Sequence, residues 1–189
     1  MSAKKRAIAA VSALAMSASV SLAQDLMFGG EEDVAYAADL WKAMVELDLA
    51  GPGSMQIRAY PFEGTDPHGM MLETFYTTTM IDGYTGALIV KRNYGPEGVT
   101  VDQVMTEPAK HLRAITVMFQ RELGFDADNQ DWFWVKYMPD GTLDKNPKGV
   151  ALAGKIAKGA DVGCISCHEN AGGDDYLFTT DAPLARASN

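Results

Sequence analysis

Apolar positions along this chain follow two rhythms. Between residues 31 and 49 they return at helical spacing, with Ala37, Leu40, Trp41, Met44 and Leu47 on one stripe, so an amphipathic helix is expected there. Glu31, Glu32 and Asp33 fill its first turn, where the helix dipole favours negative charge. Gly51, Pro52 and Gly53 follow it and are expected to stop it. Beyond that point the pattern is one of strands. Residues 70–79 are rich in β-branched and aromatic side chains, and Asp82 and Gly83 punctuate them as a turn pair. Residues 87–93 form a short apolar run. In 111–122, Ile115, Val117 and Phe119 alternate with Ala114, Thr116 and Met118, which puts the two sets on opposite faces. Residues 131–138 carry Trp132, Phe133, Trp134, Val135 and Tyr137, so both faces of that strand are expected to be covered. Pro139, Asp140 and Gly141 then turn the chain. Residues 95–110 hold two prolines and several charges and read as a loop or short insert. There is no internal repeat and no low-complexity linker.

The first residues stand apart from this pattern. Lys4, Lys5 and Arg6 precede a run without charge from residue 7 to 20, and Ser21, Leu22 and Ala23 supply small residues where a signal peptidase reads. This reads as a secretory leader over residues 1–23, leaving a single domain over 24–189. The run is short and rich in Ala and Ser for a membrane anchor, so a periplasmic protein free of the membrane is expected. Losing the three basic residues takes the formal charge from −9 to −12. An acidic chain argues against nucleic acid, whose phosphates need a basic footprint, and suits a basic redox partner protein. Hydrophobic residues at 47% and charged residues at 22% describe a globular domain rather than a disordered one.

Both cysteines of the chain lie in Cys164, Ile165, Ser166, Cys167, His168. Two cysteines three apart cannot staple a domain, but on one helical turn their sulfurs can meet the two vinyl groups of one haem. The next histidine is then carried under the iron as axial ligand. Gly163 is expected to leave room for the porphyrin. Structural zinc would need two more ligands, and only His68 and His111 remain. A thioredoxin-type pair belongs near an early βαβ unit, not near the end of a sheet protein. The reading is therefore one covalently attached haem c, with Cys164, Cys167 and His168 binding the cofactor and His168 the iron. The fold class is α+β, a mostly antiparallel β-sheet with an N-terminal helix and a C-terminal haem-attachment helix. Only 21 residues follow His168, none of them Met or His, so a sixth iron ligand would have to come from upstream.

Several blocks closing on that motif resemble the cytochrome P-460 family, including the related cytochromes c′-beta. The likeness spans about residues 67–181 and is carried by 86–94, 115–119, 131–137, 164–168 and 173–179. It implies a β-rich, often dimeric fold with five-coordinate haem on the proximal histidine. In cytochrome P-460 proper a lysine bonds covalently to the porphyrin, and the enzyme oxidises hydroxylamine. The c′-beta members have an apolar distal pocket and bind nitric oxide. Lys91 matches the cross-linking lysine, on the same face as Ile89 and Ala87; the alternative is a strand-ending lysine in solvent. Phe119 is counted with the cofactor-binding residues. Two departures stand out. The distal carboxylate of the hydroxylamine oxidisers is missing from 112–119, and their arginine is missing from 70–79, where Glu73 lies nearby. The 95–110 insert is expected to reshape the pocket mouth, with Glu107 or His111 as the polar groups it could bring close.

Three functions remain open at this point. The first is an open haem site that binds or converts nitric oxide or a related small nitrogen species. The second is a hydroxylamine-oxidising enzyme with Lys91 joined to the haem. The third is a six-coordinate electron carrier using His68, His111 or a methionine. Trp132 and Trp134 are expected in the core or at the haem edge, Tyr176 and Phe178 over the porphyrin edge, and His68, between Pro67 and Gly69, in a turn.

Overall fold

Helix α1, Glu31–Glu46, lies across one face of the sheet because its stripe of Tyr36, Ala37, Leu40 and Met44 is buried there. The helix is shorter than its apolar pattern. Asp48 takes a left-handed conformation, and the amides of Leu49 and Ala50 both return to the Met44 carbonyl at 2.9 and 3.2 Å, so the chain leaves the helix before Gly51. Leu47 is left at the C-cap, outside the stripe it was expected to extend. The structure, a computed structural model, describes residues 27–178. The expected leader over 1–23 lies outside the described residues. Among the described residues no helix is long and apolar enough to cross a membrane.

The sheet has six antiparallel strands in chain order: β1 Phe62–Glu63, β2 Met71–Ile81, β3 Tyr84–Tyr94, β4 Leu112–Gln120, β5 Trp132–Tyr137 and β6 Ala153–Gly154. Asp82 and Gly83 form a two-residue turn in which both residues have positive φ, the twist that closes a tight hairpin. The 95–110 segment is more ordered than a loop. It folds as α2, Val101–Thr106, and α3, Pro108–His111. Thr100 and Gln103 make a reciprocal capping box at the start of α2, a pattern visible in the sequence as Thr-x-x-Gln. Val99 and Val104 anchor this insert in the same core as α1.

Strand alternation splits the side chains into two layers. Toward α1 point Leu88, Val90, Ile115, Val117, Phe119, Phe133, Val135 and Tyr137, the main core. On the opposite face Ile89, Met118, Trp132 and Trp134 gather with Ile156, Ile165 and Tyr176. The helix is tied down where Tyr137 Oη donates to the Ala37 carbonyl at 2.6 Å, fully buried. Tyr137→Phe is expected to cost about 1–2 kcal/mol, because the carbonyl of Ala37 stays buried without that donor. Urea unfolding of the two proteins side by side checks this, with an unchanged midpoint as the contrary result.

A charged group is also buried on the α1 face. Glu73 and Arg92 are both fully buried and lie 3.5 Å apart. Arg58 meets Glu73 at 2.7 Å, and the Tyr94 hydroxyl also donates to it. Glu73 thus sits on the far side of the sheet from the second apolar layer, paired by cations.

A candidate haem pocket

The last helix, α4, Cys164–His168, packs Ile165 into the second apolar layer and turns Cys164, Cys167 and His168 to one cavity of about 730 Å³. Such a volume lies in the range of small-molecule sites. Ile89, Lys91, Thr116 and Met118 from β3 and β4 form its floor, with Trp134 from β5. Register explains the wall: Lys91 pairs with Thr116 and Thr116 with Lys136, while Ile89 pairs with Met118 and Met118 with Trp134.

His168 is 4% exposed and fixed through one nitrogen, its Nδ1 donating to the Tyr176 carbonyl at 2.7 Å. That bond settles the tautomer and leaves Nε2 as the free lone pair, the arrangement of a histidine prepared to hold a metal. Trp134 stands 4.9 Å and Phe178 5.2 Å from its ring, centroid to centroid. Burial pushes His168 down to about 4, so the ring is neutral at physiological pH, the form that coordinates. The Cys164 thiol moves the other way. Burial raises it to about 11, opposite to the shift that makes a redox-active thiolate. No disulfide joins the two cysteines.

These residues fit a haem better than a bare ion. No group of three or more His, Cys, Asp or Glu side chains capable of holding a metal exists among the described residues. A porphyrin brings four nitrogens of its own and asks only for an axial imidazole. The cavity supplies that imidazole, two sulfurs on the adjoining turn and apolar walls. Trp134, whose Nε1 is buried without a partner among the described residues, also borders it.

The structure places the sequence candidates unevenly. Cys164, Cys167, His168 and Lys91 all line the cavity. Lys91 is partly buried on the face of Ile89, and burial lowers its pKa. Phe119 is the correction. It is fully buried on the α1 face, 6.2 Å from the Tyr36 ring, and its neighbour Met118 lines the cavity instead. Ile115, which the missing-carboxylate comparison weighed, also lies in the α1 core. The cavity-facing side chains of β4 are Thr116 and Met118, and neither is an acid. The insert does not restore one. Glu107 is half exposed and paired with Lys110 at 3.0 Å. His111 is buried, with Nδ1 3.3 Å from the Gly95 carbonyl oxygen, and neither residue lines the cavity. The acids that do, Asp66 and Asp161, are exposed.

Two further corrections concern small details. A side chain at Gly163 would meet Cβ of Ala157 at 2.2 Å, so this glycine is demanded by Ala157 and not by the porphyrin alone. His68 does sit in a turn, its amide bonded to the Thr65 carbonyl at 2.8 Å, yet its ring lines the cavity and lies 6.0 Å from that of His168. Burial pushes His68 down to about 3. The carbonyl of Tyr176 is a site group that side-chain reasoning could not find, since any residue type supplies a carbonyl.

Comparison with known proteins agrees with this geometry. The family model described as Cytochrome P460 matches residues 71–179, more than half of the chain and all of the cavity floor. No curated protein and no solved structure matches.

Proposed function

The chain belongs to the cytochrome P460 family, and on that premise we propose that it is an exported mono-haem c-type cytochrome that binds nitric oxide or a related small nitrogen species. Cys164 and Cys167 would form the thioether links and His168 the proximal bond. Haem bound there supplies a coordination site for small ligands and one-electron chemistry. The observation that carries the reading is the strand wall of the cavity. Ile89, Met118 and Trp134 are buried and apolar, and none of the cavity-facing residues of β3, β4 and β5 is a carboxylate. That apolar part of the wall, beside Lys91, Thr116 and Lys136, suits a neutral diatomic.

Lys91 favours the hydroxylamine-oxidising alternative in one respect. An amine whose pKa is lowered by burial is the better nucleophile, and its place on the wall is compatible with a second bond to the porphyrin. Oxidation of hydroxylamine also releases protons, and among the described residues no buried carboxylate lines the cavity to take them, since Asp66 and Asp161 are exposed. The wall thus weighs against that reaction.

Proteolysis and peptide mass spectrometry of protein matured in a cytochrome-competent host test the choice. Porphyrin is expected on the peptide of Cys164 and Cys167 alone, in wild type and in Lys91→Ala alike. A second attachment at Lys91, together with turnover of hydroxylamine, would transfer the protein to the enzyme reading. Absorption spectra with nitric oxide complete the test, and a spectrum that the gas leaves unchanged would refute ligand binding.

A further inference from the structure

We infer that His68 is a second axial ligand, which closes the iron face opposite His168 at rest and must leave before a small nitrogen ligand can bind. The inference rests on the haem reading above and departs from the five-coordinate iron implied by the family resemblance.

The two imidazoles are the starting point. Their ring centroids lie 6.0 Å apart with planes at 83°. Two imidazoles bound through one nitrogen each, at about 2.0 Å from a shared metal, have ring centres roughly 6 Å apart. Each ring is also tethered through Nδ1: His168 to the Tyr176 carbonyl at 2.7 Å, and His68 to Thr116 Oγ1 at 3.2 Å. Neither Nε2 has a partner among the described residues, and both rings border the same cavity.

The support behind His68 resembles that of a ligand histidine. Thr116 Oγ1, 3.2 Å from His68 Nδ1, also accepts from Asn93 Nδ2 at 3.3 Å and lies 3.5 Å from Asn93 Oδ1. Asn93 is 2% exposed. With Nδ1 donating to Thr116, such a chain leaves Nε2 unprotonated and turned to the cavity's ligand. No such chain is needed by a histidine that merely fills a turn.

Competing ligands are less well placed. His111 is held against Gly95 away from the cavity, and Met118 is packed with Ile89 and Trp134 in the apolar layer. His68 is also the one carried by a short loop rather than a strand. That loop is pinned at its end, where the Met70 amide donates to the Tyr94 carbonyl at 2.9 Å. Withdrawal of the imidazole therefore needs no change in sheet register.

Electron paramagnetic resonance and absorption of the ferric, haem-bearing protein decide the matter. Wild type is expected to be low-spin, His68→Ala fully high-spin, and free imidazole is expected to return the variant to low-spin. Stopped-flow mixing should add a kinetic signature. The rate of nitric oxide binding to wild type levels off as the gas is raised, at the rate of His68 release, whereas in His68→Ala it rises in proportion. A high-spin wild type, or a low-spin signal that survives in His68→Ala, overturns the inference while leaving the haem reading intact. A polypeptide without porphyrin overturns the premise instead. Low-spin iron that depends on His68 but ignores nitric oxide keeps the ligand and makes the protein an electron carrier.

Discussion

Protein with both Cys164→Ala and Cys167→Ala is expected to leave a maturation-competent host colourless, with the mass of the bare polypeptide, while wild type is coloured and heavier by one haem. The two sulfurs lie on the single turn of α4, beside His168, and no other cysteine is available. The loss should be complete rather than partial, because the covalent links also concentrate the porphyrin at the pocket. Far-ultraviolet circular dichroism separates this from unfolding, since the strand network of β2, β3 and β4 does not use α4. Intact mass spectrometry after acid denaturation is the direct readout. Porphyrin still attached in the double variant would refute the assignment of the thioether positions.

Replacing Arg92 by Met should produce the largest loss of stability on the other face of the sheet. The guanidinium is fully buried and donates to the carbonyls of Ile57 at 2.7 Å, Asp48 at 3.2 Å and Leu49 at 3.2 Å, besides facing Glu73. It therefore ties the loop after α1 to β3. Removing it leaves three carbonyls without their donor and weakens the pairing of a fully buried carboxylate. Breaking one side of a buried pair costs about 3–5 kcal/mol, or roughly 10 °C in Tm for a domain of this size. Arg92→Met with Glu73→Gln should recover part of that loss, because the second change removes the stranded charge. A double-mutant cycle in urea measures the coupling; strictly additive effects would refute a shared network.

How far the site could be read from the chain varied with the range of the interaction. The haem motif was legible because its chemistry needs residues three and four apart, a distance set by one helical turn. Strands β2, β3 and β5 were legible as runs of β-branched, aromatic or apolar residues and β4 from its alternation, and the Asp82–Gly83 turn because positive φ favours those residues. The helix end was not, because Asp48 broke the helix ahead of the glycines that looked responsible. The insert showed the opposite error: its prolines suggested a loop, although Thr100 and Gln103 already spelled a cap.

Phe119 and Met118 mark where periodicity stops being informative. Alternation separated them correctly, but it carries no label for which face meets the cofactor. That was settled by α1, whose stripe of Tyr36, Leu40 and Met44 covers the Phe119 side and leaves Met118 to the cavity. Glu73 and Arg92 pair across adjacent strands by the same register, so a carboxylate that looked close to the pocket lies behind it.

By itself the sequence determined the α+β class, the antiparallel character of the sheet and the close spacing of Cys164, Cys167 and His168, all of them consequences of pattern within a few residues. Only the tertiary structure decided that His68 faces His168, that Tyr176 holds the His168 ring by its carbonyl, and that no carboxylate stands on the strand wall. The reason is geometric. His68 and His168 are 100 positions apart, and their meeting depends on sheet register and on which face the first helix has already taken.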